Sequence, residues 1–116
     1  MSTTAQHLDR ALRALAEPNR RVILGLVRDR PCAVGEIAEQ VGLTQQAVSQ
    51  HLRALRDAGL LTERREGTRH LFMVRPDGFS VVREFLDQFW PTHLAALKQA
   101  AEAAAHHTSR DEPADG

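Results

Sequence analysis

Apolar residues in the first half of the chain recur with the period of an α-helix, and the breaks fall on prolines and glycines. Leu8, Leu12 and Leu15, with Ala11, share one helical face and predict a first helix over residues 5–16, behind a frayed start. Pro18 suits the first position of a second helix, where its missing N–H would have no partner anyway. Val22, Ile23, Leu26 and Val27 give that helix a buried face, and Pro31 ends it. A third helix buries Ile37, Ala38 and Val41 and stops at Gly42.

The next stretch carries the clearest start signal. Gly42-Leu43-Thr44 forms a short turn, and a fourth helix runs from Gln45 to Ala58, stopping at Gly59. Thr44 is a good N-cap, since its hydroxyl accepts a hydrogen bond from a backbone N–H that the helix leaves unpaired. Leu43 before the cap and Val48 after it have the spacing of a hydrophobic staple. Val48, Leu52 and Leu55 face the core, which leaves Gln46, Ser49, Gln50 and Arg53 outward. His51 sits at the edge beside Leu52 and is expected to pack. A strand, a tight turn at Glu66-Gly67 and a second strand through Thr68-Arg69-His70-Leu71-Phe72 follow. Two helices joined by a short glycine-containing turn are the helix-turn-helix signature, and the hairpin behind them reads as a wing.

Pro76 and Asp77 open a last helical region. Val82, Leu86, Phe89, His93 and Leu97 follow helical spacing, and Phe85 and Trp90 widen the stripe beyond what one small core needs. Pro91 lacks an N–H and its ring clashes with the carbonyl of Asp87, so a kink or break is expected there. The expected fold is mainly α with a small β-hairpin: four helices, two strands and a fifth helix, a winged helix-turn-helix. Residues 1–106 read as one DNA-binding domain, and residues 107–116 as a polar, disordered tail.

Composition changes the picture only when it is divided. The whole chain is neutral, but residues 1–75 carry 12 arginines against eight carboxylates, while residues 76–116 carry three basic and seven acidic side chains. A basic front and an acidic back suit a protein that docks one face on DNA. Fourteen of the 15 basic residues are arginine, the residue whose fork matches phosphate and guanine. The single cysteine rules out an internal disulfide and fits a reducing compartment. There is no apolar run long enough to span a bilayer and no basic-then-apolar leader, so a cytoplasmic protein without membrane partners is expected. No glycine-rich phosphate loop, nucleophile–base pair or metal cluster is present at usable spacing, so the chain reads as a non-enzyme without a cofactor.

These residues resemble the ArsR/SmtB family of winged-helix repressors. The resemblance rests on LAEPNRRVILGLV at 15–27, VGEIAEQVGLTQQAVSQHLRALRDAGLL at 34–61 and ERREGTRHLFMV at 63–74. It implies a homodimeric repressor that blocks a promoter at an inverted-repeat operator, with a small-molecule or metal effector as a further partner. By motif position it implies DNA contact through Thr44, Gln45, Gln46, Ser49, Gln50 and Arg53, and through Arg64, Arg65 and Arg69 of the wing. Glutamine amides pair with adenine edges, and arginine with guanine or phosphate. Charge on the wing also blunts an exposed strand edge. The resemblance further implies dimer contacts through the first and last helices, here Leu8, Leu12, Leu15, Phe85, Phe89, Trp90 and Leu97.

The family's metal motifs are missing. The third helix holds no Cys-x-Cys, and Asp87-Gln88-Phe89 stands where an Asp-x-His pair is used. His93 and His106 are thirteen residues apart and fall on different sides of a helix. Glu102 and His106 are one turn apart, and His106-His107 ends the segment, which leaves no set of about four converging ligands. Cys32 has no partner thiol and reads as a buried or half-buried structural residue. The expectation is therefore no metal site. The alternatives are a metal- or thiol-responsive sensor of the same family, or a winged helix used only for protein contacts.

Overall fold

In a computed structural model, residues 3–90 and 97–105 are described, and they form helices and one short hairpin. The elements are α1 (Thr3–Ala16), α2 (Pro18–Asp29), α3 (Val34–Val41), α4 (Gln45–Asp57), β1 (Leu61–Glu66) and β2 (Arg69–Val74). A 3-10 turn at Pro76–Phe79 leads into α5 (Ser80–Asp87), and residues 97–105 are helical again. The expected winged helix-turn-helix is the observed fold. The chain divides by contact density into two units, residues 1–84 and 85–116.

The first unit is built around Ile23, Ile37, Val48, Leu52, Leu55, Leu60 and Leu61, all fully buried. Each of α2, α3 and α4 contributes the side of its surface that the hydrophobic period marks. The details differ in two places. In α2 the buried set is Ile23, Leu24 and Val27, while Val22 is 53% exposed. That helix is contacted by α1, α3, α4 and β2, so the covered arc is turned toward Leu24 and away from Val22. In α1 the fully covered residues are Ala11 and Ala14, the small side chains that permit close approach. Leu15 packs against the core, Leu8 is half-buried and Leu12 is exposed.

The hairpin is antiparallel with Glu66 opposite Arg69 and Leu61 opposite Val74. Its two-residue turn is Gly67-Thr68, one position later than the spacing suggests. Gly67 has φ +63° and Thr68 does not share the left-handed conformation, the order of a type II′ turn. A short bridge ties the segment before α3 to the wing: Cys32 N–H donates to Phe72 C=O at 3.0 Å, and Phe72 N–H donates back at 2.8 Å. Cys32 is buried there, as expected.

Gly78 marks the tightest backbone approach. A Cβ built on it would run into the carbonyl oxygen of Gly59. The 3-10 turn can therefore lie on the end of α4 only with glycine at this position, and Arg75 N–H donates to Leu60 C=O at 2.9 Å beside it.

α5 ends at Asp87, the residue whose carbonyl a helical Pro91 would strike. The next three N–H groups, from Gln88, Phe89 and Trp90, donate to carbonyls three residues back. The expected break thus begins before the proline, through a tightened turn. In the second unit Phe85 and Phe89 stack edge-on with ring centroids 5.2 Å apart, and Lys98 lies 4.7 Å over the Trp90 ring. Pro91 itself, His93, His106 and the tail at 107–116 lie outside the described residues.

Candidate nucleic-acid interface

The outer face of α4 is held in place from its inner side. Val48, Leu52 and Leu55 are buried, so rotation of the helix is fixed by the core. Its start is fixed by Thr44, whose Oγ1 accepts from Ala47 N–H at 3.0 Å. The preceding helix ends on Gly42 at φ +71°, a left-handed position that other residues occupy at a cost, and this sets the angle of the turn.

Gln46, Ser49, Gln50 and Arg53 fall within about 100° of arc on the helix, counting roughly 100° per residue. All four are exposed. Gln45 sits at the edge of this arc and leans over α3, its Nε2 being 3.5 Å from where a Cβ on Gly35 would stand. The Thr44 hydroxyl is engaged as the cap. His51 is half-buried and accepts on Nδ1 from Arg20 Nε at 3.3 Å, a packing role. The arrangement offers two amides, a hydroxyl and a guanidinium, a set able to donate and accept along base edges.

The wing arginines do not form one group. Opposed residues share a face, so Arg64 lies with Leu71 while Arg65 lies with His70 on the other side. Arg64 pairs with Glu66 at 2.7 Å. Arg69 reaches across to α3 and pairs with Glu36 at 2.7 Å. Arg65 is exposed and makes no ion pair among the described residues. Arg53 likewise has no carboxylate partner among them. The guanidiniums of Arg53 and Arg65 are thus available at no cost, whereas Arg64 and Arg69 must first leave a carboxylate.

Two glutamates that the hydrophobic pattern does not single out anchor the wing. Glu36 accepts from the N–H of Ala33 at 3.0 Å and pairs with both Arg30 and Arg69. The Ala33 backbone bond, aided by the Arg30 side chain, holds the Glu36 carboxyl below the ordinary glutamate range. Glu63 pairs with Arg56 of α4 at 2.8 Å and lies 3.2 Å from His70. The hairpin is tied to both helices of the helix-turn-helix by these contacts. The only sequence signal for them is the helix-start position of Glu36, three residues after Ala33.

Among the described residues no three His, Cys, Asp or Glu side chains converge as a metal site. Burial pushes the Cys32 thiol up, so it keeps its proton, and its Sγ lies 3.3 Å from the Arg30 carbonyl. No helix among the described residues is long and apolar enough to cross a membrane.

Comparison with known proteins points the same way. A helix-turn-helix domain family matches residues 15–64. The chain is 37% identical over 106 residues to the HTH-type transcriptional regulator Rv2034 of Mycobacterium tuberculosis, covering 91% of this chain and 99% of that relative. It is 33% identical over 106 residues to NmtR of the same organism, an HTH-type transcriptional regulator, covering 91% and 76%. An ArsR-like transcriptional regulator from Rhodococcus sp. RHA1 superposes with a TM-score of 0.70 at 25% identity, covering 86% of this chain and 97% of that one. The homodimeric winged helix-turn-helix DNA-binding domain of Mb0332 from Mycobacterium bovis superposes at 0.61 with 32% identity, covering 75% and 84%.

Proposed function

From the premise that this chain belongs to the ArsR family of winged helix-turn-helix transcriptional regulators, we propose that it acts as a homodimeric repressor on an inverted-repeat operator. It is a DNA-binding regulator, as its relatives Rv2034 and NmtR are HTH-type transcriptional regulators. In this reading α4 enters the major groove, Gln46, Ser49, Gln50 and Arg53 read base edges, and Arg65 grips the backbone beside them. Thr44 and Gln45 help set the helix start near the phosphates. Arg64 and Arg69 contribute less, because each is held by a glutamate.

The observation that carries the reading is the composition of the outer face of α4. A face kept only for solubility would favour Glu and Lys, and this one presents amides and an unpaired arginine. Each unit also carries uncovered apolar side chains: Leu12 at 39% exposure in the first, and Phe89 at 63%, Trp90 at 39% and Leu97 at 62% in the second. A second copy of the chain covers them, with Leu8, Leu15 and Phe85 at the margin. Repression follows from occupancy of a promoter.

The test is a set of binding isotherms on selected operator DNA and on a scrambled duplex. Gln46→Ala or Gln50→Ala should lose about 1–3 kcal/mol of discrimination at one position in each half-site. Equal loss on both duplexes would show that α4 does not read sequence.

A further inference from the structure

One open cleft of about 550 Å³ lies among α1, α2 and α4 and is lined by Arg10, Arg13, Ala14, Arg20, Ala54 and Asp57. We propose that this cleft is a second phosphate-binding site, which takes a DNA backbone phosphate on the edge of the groove that α4 enters. The proposal deepens the regulator reading and rests on it.

Three observations point to it. The first is position. Ala54 follows Gln50 by one turn and Asp57 follows Arg53 by one turn, so the cleft floor continues the proposed reading face. From Gln46 to Ala54 the helix rises about 12 Å, close to the width of the major groove. A helix that reads bases at Gln46 therefore brings the cleft to the strand that borders the groove.

The second observation is charge. Three guanidiniums face one carboxylate in the lining. Arg28, Arg30, Arg56, Arg64 and Arg69 are each paired with an acid. Arg10, Arg13 and Arg20 have no such pair among the described residues. Arg20 donates through Nε to His51 and lines the cleft. Unpaired guanidiniums repel one another and gain most from a shared oxyanion, to which arginine binds through two parallel N–H groups.

The third is separation from the proposed dimer surface. Around α1, Arg10 lies roughly 160° from Leu8 and Leu12, and Arg13 roughly 140° from Leu8 and 100° from Leu12, on a different flank. A second copy seated on Leu8 and Leu12 leaves the arginine flank open. One helix thus serves two surfaces, with alanines buried between them.

The experiment measures affinity against salt for the full chain on an operator duplex with long flanks. The variant is Arg10→Ala with Arg13→Ala, checked for folding by its melting curve. Its slope of log K on log salt should be shallower by about 0.9 for each phosphate that the arginines no longer neutralise. The drop in affinity should be equal on operator and scrambled duplexes, and Arg10→Lys with Arg13→Lys should recover most of it. Asp57→Asn should tighten binding. An unchanged slope in a folded alanine variant overturns the proposal while leaving sequence-specific binding by α4 intact. Titration with inorganic phosphate is the second arm: saturable binding that the variant loses, with no change in DNA slope, would overturn the DNA assignment in favour of a free anion. A wild type that binds no duplex at all would instead overturn the regulator reading itself.

Discussion

The inner face of α4 and the apolar stripe of the second unit are written in the same alphabet but end in opposite environments. Val48, Leu52 and Leu55 are at most 2% exposed. In the second unit Leu86, Phe89 and Leu97 are 46%, 63% and 62% exposed. Amphipathicity therefore declares that a face will be covered without saying by what. For α4 the cover is α2, α3 and β1 of the same unit. For the second unit, the family reading supplies another copy of the chain.

Concentration dependence breaks this comparison most directly. Phe89→Ala or Trp90→Ala should cost about 3–5 kcal/mol where the ring is fully buried in a dimer, and should appear as dissociation in sedimentation or light scattering. Leu55→Ala should cost about 2–5 kcal/mol as loss of the fold itself, with a midpoint that does not depend on protein concentration once the dimer is accounted for. Should Phe89→Ala lower the melting point without changing the mass in solution, the stripe serves its own chain and the dimer assignment fails.

A smaller effect sharpens where the first unit stops yielding. Gly78→Ala places a methyl on the Gly59 carbonyl, so one backbone must move, at about 1–3 kcal/mol. Thermal melts should show the loss, and neighbouring Asp77→Ala should not. If the two variants melt alike, the close approach relaxes at no cost.

The smallest effect is electrostatic. Glu36 is stabilised as the carboxylate in the folded state, so its contribution is complete above the ordinary glutamate pKa of about 4.3 and is lost as pH falls through the lower folded value. Chemical denaturation of wild type and Glu36→Gln should show a gap at neutral pH that closes on acidification. A gap that persists at low pH would mean that the side chain acts by packing and not by charge.

Much of this molecule is legible in its sequence because the deciding interactions are local. The Thr44 cap, the Gly42 turn and the three-and-four spacing of Val48, Leu52 and Leu55 lie within one segment, and the pattern of α4 follows from them. The helix end at Asp87 follows from a proline four residues later. The outward set of α4 is legible for the same reason, since it is what remains once the buried side is known. The wing is legible only as a hairpin with arginines. Its register differs by one position at the turn, and its arginines divide between two faces.

Tertiary structure alone decided which charges are free. Arg69 and Arg53 are the same residue type, but a glutamate 33 positions away binds the first and none among the described residues binds the second. The swap of Leu24 for Val22 in the core, the Cys32–Phe72 bridge and the approach of Gly78 to Gly59 have the same origin. Each depends on segments distant in sequence meeting at a particular angle, which no local period records. Sequence by itself determined the elements, their order and the faces that need cover, because helix periodicity and capping act over a few residues. Packing across the fold determined which of those faces the first unit covers itself and which arginines have no acid partner among the described residues.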